Sequence, residues 1–146
     1  MSVSLLDVNV LIALMWPAHE SHERAQRWFR KHAHRGWATC ALTQASFVRI
    51  VSNPAFSPDA VTPQAASGLL GNNLRDSRHH FWTMDISFEL AAEPFLKHLI
   101  GHQQVSDAYL LGLAMHKRGQ LVTMDRGIAQ QFSSRACPVE VIGPEG

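Results

Sequence analysis

Cysteine and lysine are both scarce in this 146-residue sequence, and each scarcity restricts the class of protein or the kind of binding site to be expected. Its two cysteines, Cys40 and Cys137, form no C-x-x-C pattern, and two isolated cysteines do not make a disulfide framework. We therefore expect a reduced, cytoplasmic protein. Lysine contributes only three of the 13 basic residues, and the predominance of arginine favours two-pronged recognition of phosphate or carboxylate groups.

Long apolar runs are also missing. No stretch reaches the ~18 uninterrupted apolar residues that are typical of a membrane-spanning helix. The apolar N-terminus has no basic segment and is interrupted by Asp7 and Asn9, which is not typical of a signal peptide. The formal net charge of +1 by itself implies neither a nucleic-acid nor a membrane partner. With 46% hydrophobic residues, we expect a single domain, 1–146, with one sizeable core.

Short apolar segments alternate with helical segments along the chain. We predict strands at 3–6, 37–42, 80–84, 120–124 and 139–142. We predict helices at 10–15, 20–32, 44–51, 63–75, 87–99, 107–118 and 128–132. Short strands that are apolar on both faces and separated by helices indicate a parallel sheet covered by helices on both sides, which is an α/β fold.

Several residues suit the ends of these helices. Asn9, Thr43, Thr62 and Ser106 are typical N-caps, and Gly119 suits a C-terminal cap. Pro63 follows Thr62 at the first helical position, and Pro94 is expected to kink the helix 87–99. The four tryptophans fall in or beside predicted core elements, so we favour core packing over stacking on a ligand. His19 and His22 have a spacing that a metal site could use, but a solvated helix start is the better interpretation.

Three aspartates stand at the ends of predicted apolar elements. Asp7 follows the first strand, Asp107 lies in the first turn of the helix 107–118, and Asp125 follows the fourth strand. A buried acid costs several kcal/mol unless an arginine, backbone N–H groups or a metal ion compensates its charge. Ligands of open α/β sheets collect at the carboxyl ends of the strands, and a helix N-terminus can reach the same edge. We therefore expect the three carboxylates to converge.

Converging carboxylates without a matching lysine repel each other, so either one is protonated or a hard cation binds. Mg²⁺ or Mn²⁺ prefers such oxygen ligands and keeps several waters. A cation held in this way activates a water and neutralises charge on a phosphate, which is what phosphodiester hydrolysis requires. Each acid alone also has a structural interpretation: Asp7 as a helix cap, Asp107 as a first-turn acid and Asp125 as a turn acid.

Four segments in order, LLDVNVLIAL, LTQASFVRIVSNP, VSDAYLLGLA and LVTMDRGI, together resemble the PIN-domain ribonucleases. More closely, they resemble the VapC toxins of bacterial toxin–antitoxin pairs, over nearly the whole chain. The resemblance implies a PIN-like (Rossmann-like) three-layer sandwich with a central parallel sheet. It also implies an Mg²⁺- or Mn²⁺-dependent endoribonuclease, a VapB-type antitoxin and a homodimer. On the matching motifs, Asp7, Asp107 and Asp125 occupy the places of three family acids, and Asn9 and Thr123 occupy accessory polar positions.

Gln44 departs from the family pattern, which usually has a glutamate in the helix after the second strand. A glutamine has the same length and can hydrogen-bond a metal-bound water, but it is neither a charged ligand nor a general base. Arg49, in the same helix, either pairs with a site acid, holds RNA phosphate or forms a surface salt bridge. Arg126, beside Asp125, slightly favours phosphate.

Two other functions compete with the ribonuclease. One is a PIN-fold module that binds RNA or protein without cutting it, which the neutral Gln44 keeps open. The other is phosphoryl transfer through an aspartyl phosphate on Asp7. That chemistry needs a cation at a neighbouring strand end, and none of the three lysines falls at a predicted strand end. RNA cleavage with and without a chelator separates the ribonuclease from the binding module.

Overall fold

The computed structural model describes residues 2–132 and 138–144. Five strands lie in this part of the chain: β1 (Ser4–Leu6), β2 (Trp37–Thr39), β3 (His79–Phe81), β4 (Gln120–Thr123) and β5 (Val139–Val141). The α-helices are α1 (Val8–Met15), α2 (His22–His32), α3 (Ala41–Val51), α4 (Pro63–Leu74), α5 (Phe88–Ala92), α6 (Val105–His116) and α7 (Arg126–Phe132). Three short 3₁₀ segments add to these, at Ala33–Arg35, Glu93–His98 and His102–Gln104. The order of strands and helices agrees with the sequence prediction.

The strands form one sheet in the order β3-β2-β1-β4-β5, and every neighbouring pair is parallel. Strand β1 is central, with Leu5 opposite Ala38 on one side and Leu121 on the other. The carboxyl ends of all five strands therefore lie at the same edge. The predicted parallel sheet is confirmed.

Apolar side chains fill both faces of the sheet. Leu5, Ala38 and Leu121 face a cluster that contains residues of α5 and α6, such as Ala92 and Leu111. The alternate strand residues Leu6, Trp37 and Val122 face a second cluster with residues of α1 to α4, such as Val10 and Phe47. The fold is thus a helix–sheet–helix sandwich, as predicted. Of the described helices, none has the length and apolar character needed to cross a bilayer.

Two predicted N-caps were placed too late in the sequence. Helix α1 begins at Val8 with Asp7 as its N-cap, not at Asn9, because the Asp7 carboxylate accepts the Val8 N–H at 2.7 Å. Helix α3 begins at Ala41, so β2 ends at Thr39 rather than at position 42. Cys40 is the N-cap there, and the Thr43 hydroxyl completes the capping box by accepting the Cys40 N–H at 3.0 Å.

The predicted ends of α6 were also wrong. The 3₁₀ turn before α6 runs directly into it, so the helix starts at Val105 and Ser106 is not the cap. At the other end, Arg118 and not Gly119 adopts the left-handed conformation, with φ of 59°. Gly119 is instead needed for space, because a Cβ there would lie 2.5 Å from the Trp82 ring and from the Val3 carbonyl oxygen.

Elsewhere the predictions differ from the structure in smaller ways. The segment 87–99 is α-helical only to Ala92 and becomes 3₁₀ at Glu93, next to Pro94. Strand β3 is an edge strand and is mostly exposed, unlike the buried strand that was predicted. Three tryptophans are buried, at positions 28, 37 and 82, which confirms core packing. Cys137 and the last two residues lie outside the described residues.

Helix α6 packs unusually close to α5 at Gly112. A Cβ on Gly112 would lie 1.9 Å from the carbonyl oxygen of Ala91, so no side chain fits between the two backbones. Because α6 carries Asp107 in its first turn, this contact fixes where that carboxylate meets the sheet edge.

Candidate functional site

Asp7 connects the central strand to its following helix. It directly follows β1, and only 5% of its surface is exposed. One carboxylate oxygen caps α1 through Val8, and the other accepts the Thr123 hydroxyl at 2.9 Å. The interpretation of Asp7 as a helix cap is therefore confirmed. The second oxygen ties Asp7 to the neighbouring strand β4.

Thr123 is the centre of a polar cluster at the end of β4. Its fully buried hydroxyl oxygen also accepts the Asp125 backbone N–H at 3.0 Å and the Asn9 side-chain N–H at 3.4 Å. The Asn9 side-chain oxygen Oδ1 in turn accepts the Met124 backbone N–H at 3.3 Å. Asn9 is thus a link between α1 and the loop after β4 rather than a cap. The structure brings both predicted accessory residues, Asn9 and Thr123, to Asp7.

Asp125 begins the turn between β4 and α7. Its carboxylate is exposed, and it accepts the Gly127 N–H at 2.8 Å, which confirms the interpretation as a turn acid. Asp125 still acts on the other acids, because its charge contributes to raising the pKa of both Asp7 and Asp107.

Asp107 is half-buried in the first turn of α6, and its carboxylate forms no hydrogen bond or ion pair with the described residues. Burial, together with the smaller effects of the charges of Asp7 and Asp125, raises the pKa of its carboxyl to about 7. Burial also raises the pKa of Asp7, opposed by hydrogen bonds from Thr123 and Val8. The three acids are therefore close enough to act on one another, as the sequence predicted.

No lysine or arginine neutralises these acids in the described part of the chain. The ion pairs found there involve Asp76, bound by Arg78, and Asp85, bound by His116 and Lys117. Arg49 and Arg126 are exposed and pair with none of the site acids among these residues. A surface salt bridge of Arg49 is likewise not formed there.

Gln44 lies in the second turn of α3, which starts at the carboxyl end of β2. Its side chain is half-buried, and Nε2 donates to the Thr39 hydroxyl at 2.9 Å. Its Oε1 makes no hydrogen bond to the described residues. Gln44 therefore sits at the same edge of the sheet as Asp7, on the helix that follows β2, the strand next to β1.

The comparisons with known proteins agree with this arrangement. The family model of the PIN domain matches residues 4–131, most of the chain. This chain belongs to the PIN-domain family. Ribonuclease VapC39 of Mycobacterium tuberculosis H37Rv is 40% identical over 131 residues, covering 90% of this PIN domain protein and 94% of the relative. Ribonuclease VapC38 of the same strain is 39% identical over 141 residues, covering 96% and 98%.

A solved structure shares the fold of this PIN domain. DNA-bound VapBC from Salmonella typhimurium superimposes with a TM-score of 0.65 at 14% identity, covering 98% of this chain and 100% of that chain. The predicted resemblance to VapC-type PIN domains and the predicted sandwich are thereby confirmed.

The acid cluster of this PIN domain has the chemistry of a hard-cation site. All three donors are carboxylates, the pKa of Asp107 is raised by burial and by two like charges, and no described basic residue pairs with them. These are the conditions under which Mg²⁺ or Mn²⁺ relieves repulsion. Within the described residues, no three acidic, histidine or cysteine side chains are already placed to surround an ion. Binding would therefore require the exposed carboxylate of Asp125 to turn towards the other two acids.

The raised pKa of Asp107 predicts that this PIN domain, without metal, loses stability as pH rises from acid to neutral. Between its ordinary pKa of 3.8 and the folded value of about 7, the unfolded chain has already lost the proton that the folded chain retains. Stability therefore falls as pH rises through this window. Because Asp107 is partly solvated, we expect Asp107→Asn to increase the free energy of unfolding by about 1–2 kcal/mol at pH 8.

This prediction is tested by denaturant unfolding of the metal-free protein at pH 8 and pH 4. Asp107→Asn should match the native protein at pH 4 and exceed it at pH 8. Asp59→Asn, on an exposed loop, is the matched control and should change neither value. A variant no more stable than the native protein at pH 8 would show that Asp107 carries no charge penalty.

Two polar residues of this PIN domain, Thr39 and His79, were missed from the sequence. Thr39 falls inside the predicted strand 37–42 and His79 directly before the predicted strand 80–84, and neither was assigned a role. A threonine inside a predicted buried strand was the available signal, since a buried hydroxyl needs a partner. His79 gave no signal, because its role depends on the register between β2 and β3. His19 and His22 bond locally, to Ser21 and Ala13.

Proposed function

We propose that this PIN domain is a metal-dependent endoribonuclease and serves as the toxin of a VapB–VapC-type pair in the cytoplasm. The observation that carries the proposal is the group of three acids, Asp7, Asp107 and Asp125, which has no described basic partner. The charges of Asp7 and Asp125 add to burial in raising the pKa of Asp107, and the charge of Asp125 helps to raise that of Asp7. The relatives named Ribonuclease VapC38 and VapC39 support it.

In this proposal the three acids hold Mg²⁺ or Mn²⁺, which supplies an activated water and neutralises charge on the phosphate. Thr123 and Asn9 keep Asp7 in place through the hydrogen bonds described above. Gln44 accepts a hydrogen bond from a water at the site. Arg49 and Arg126, both exposed, bind phosphates of the RNA strand on either side of the cut.

Incubation of the purified protein with total RNA tests this proposal. We expect cuts in the presence of Mn²⁺, with Mg²⁺ less effective at equal concentration, and none after EDTA is added. Mapping the new RNA ends identifies the substrate. Intact RNA under all metal conditions would contradict the endoribonuclease.

One observation favours the second candidate, a PIN domain that binds RNA or protein without cutting. Gln44 places a neutral amide where the family usually has a carboxylate, and that amide is bound to Thr39. Under this alternative the protein retards RNA in a gel shift assay at a salt-dependent affinity, while the RNA ends stay unchanged.

The proposed antitoxin needs a surface to bind. An open apolar groove of about 400 Å³ lies beside the start of α6, next to Asp107. Its lining consists of Leu42, Met84, Ile86, Phe88, Val105, Ser106 and Tyr109. Such a groove fits the apolar face of an amphipathic helix, and a basic residue on that helix would reach the acids. We also infer a homodimer, as the resemblance implies.

We expect the chain expressed alone to stop growth, and co-expression of its antitoxin to restore it. Phe88→Asp should remain toxic but escape the antitoxin, because a charge in the groove opposes apolar docking. Leu90→Asp is the matched control: Leu90 lies on the same helix and is 67% exposed but does not line the groove. Growth and co-purification are the measurements. If the antitoxin fully neutralises Phe88→Asp, the groove is not its binding surface. If the native chain expressed alone is harmless, the protein is not a toxin.

A further inference from the structure

A second polar cluster lies at the carboxyl end of β2. The buried Thr39 hydroxyl is 2.9 Å from Nε2 of Gln44 and 2.8 Å from Nε2 of His79. Trp37 and His79 are register partners, so Thr39, two positions beyond Trp37, projects from the same sheet face as His79. The Trp37 ring packs on the His79 ring with centroids 4.7 Å apart and holds it in place. The three polar side chains form one hydrogen-bonded chain from the edge strand to α3.

The donors and acceptors of this chain can be assigned. Burial lowers the pKa of His79, the charge of His80 lowers it further, and Asp76 and the Leu74 backbone oppose the shift. The ring is therefore neutral near pH 7, with one N–H. Nε2 faces Thr39, so Nδ1 is the nitrogen left for the Leu74 carbonyl. A ring protonated on Nδ1 has an acceptor at Nε2.

This assignment fixes the orientation of the Gln44 amide. The single hydroxyl proton of Thr39 must point to Nε2 of His79, which leaves only lone pairs for Gln44. Gln44 can then bind Thr39 only through its N–H groups. Its Oε1 becomes the free end of the side chain, and it accepts no hydrogen bond from the described residues.

We propose that Thr39 and His79 are positioning residues that hold the Gln44 amide with Nε2 towards the sheet and Oε1 towards the acid site. This inference rests on the proposed function, in which Gln44 serves that site. An amide oxygen can accept from a metal-bound water or approach a cation, whereas an amide N–H₂ group can do neither. The chain Leu74–His79–Thr39–Gln44 thus makes a neutral residue present an oxygen where the family usually has a carboxylate.

Imidazole ¹⁵N shifts of the metal-free protein test the hydrogen-bond order without any RNA. We expect His79 protonated on Nδ1 in the native protein. In Gln44→Glu the carboxylate can only accept, so the Thr39 hydroxyl must turn to it and His79 must donate from Nε2. The tautomer should change, and the titration midpoint of His79 should rise by about one pH unit, because an acceptor then faces each ring nitrogen.

Two controls distinguish an effect transmitted through the Thr39 hydroxyl from a general electrostatic effect of the new charge. His80 is exposed and adjacent to His79 in sequence, and it should keep its tautomer in Gln44→Glu. In a Thr39→Val background, which lacks the hydroxyl, Gln44→Glu should leave the His79 tautomer unchanged. The proposal would be overturned if the His79 ring of the native protein were protonated on Nε2. It would also be overturned if the His79 tautomer were the same in Gln44→Glu as in the native protein.

Kinetics test whether the orientation matters at the site. We expect Thr39→Val to lower kcat for RNA cleavage about tenfold with KM unchanged, the loss of one hydrogen bond in the transition state. In a Gln44→Ala background the same substitution should cost nothing further. An equal loss in both backgrounds would mean that Thr39 does not act through Gln44. If the native protein cuts no RNA, the proposed function fails, while the ¹⁵N experiment still decides the hydrogen-bond order.

Discussion

Asp7→Asn and Asp107→Asn are each expected to abolish RNA cleavage and growth inhibition while the fold is preserved. Loss of a carboxylate removes a cation ligand worth several kcal/mol in the transition state, which corresponds to a rate loss on the order of 10³-fold or more. Asparagine remains a good N-cap, so at position 7 it can still accept the Val8 N–H at the start of α1.

Three measurements are needed for this prediction: the cleavage rate with Mn²⁺, growth after induction, and the thermal unfolding midpoint. Asp59→Asn carries the same chemical change on an exposed loop and should leave all three at the native values. A variant that unfolds early would give no information about catalysis, so the unfolding midpoint is compared first. Undiminished cleavage by both folded variants would show that Asp7 and Asp107 take no part in the cleavage reaction.

Gln44→Glu is expected to strengthen Mn²⁺ binding and to raise the cleavage rate at limiting metal. The substitution adds a negative charge without changing the length of the side chain. A charge-assisted contact contributes about 1–3 kcal/mol, or roughly five- to 150-fold in affinity. The Thr39 hydroxyl can turn to donate to the new carboxylate, so this buried hydroxyl keeps a hydrogen-bond partner at position 44.

Calorimetric titration of Mn²⁺ into the native protein and the variant measures this effect directly. Gln64→Glu, on the exposed start of α4, adds the same charge away from the sheet edge and should bind Mn²⁺ with native affinity. Equal affinities of native protein and Gln44→Glu would mean that position 44 does not face the cation.

The chain order of strands and helices could be predicted because it depends on local patterns. Short apolar runs separated by helical segments indicate the strands of a parallel sheet, and the carboxyl ends of such strands share one edge. That rule was enough to predict the convergence of Asp7, Asp107 and Asp125 from their places in the sequence.

The helix starts could not be predicted as well, because several neighbouring residues can cap the same helix. Asp7 and Asn9 are both good N-caps, and only the hydrogen bond that ties Asn9 to Met124 across the fold decides between them. The Thr39–His79 contact was out of reach for a related reason. It joins residues 40 positions apart through the register of two strands, which no local pattern encodes.

The position of β4 in the sheet has a consequence for the order of events during synthesis. Strand β4 inserts beside β1, although Thr123 and Asp7 are 116 positions apart. Asp7 therefore cannot meet Thr123 or Asp125 until nearly the whole chain has left the ribosome. Sheets built from such distant partners fold slowly. A growing chain therefore has at most two of the three site acids until Asp125 has left the ribosome, so the acid site is completed late in synthesis.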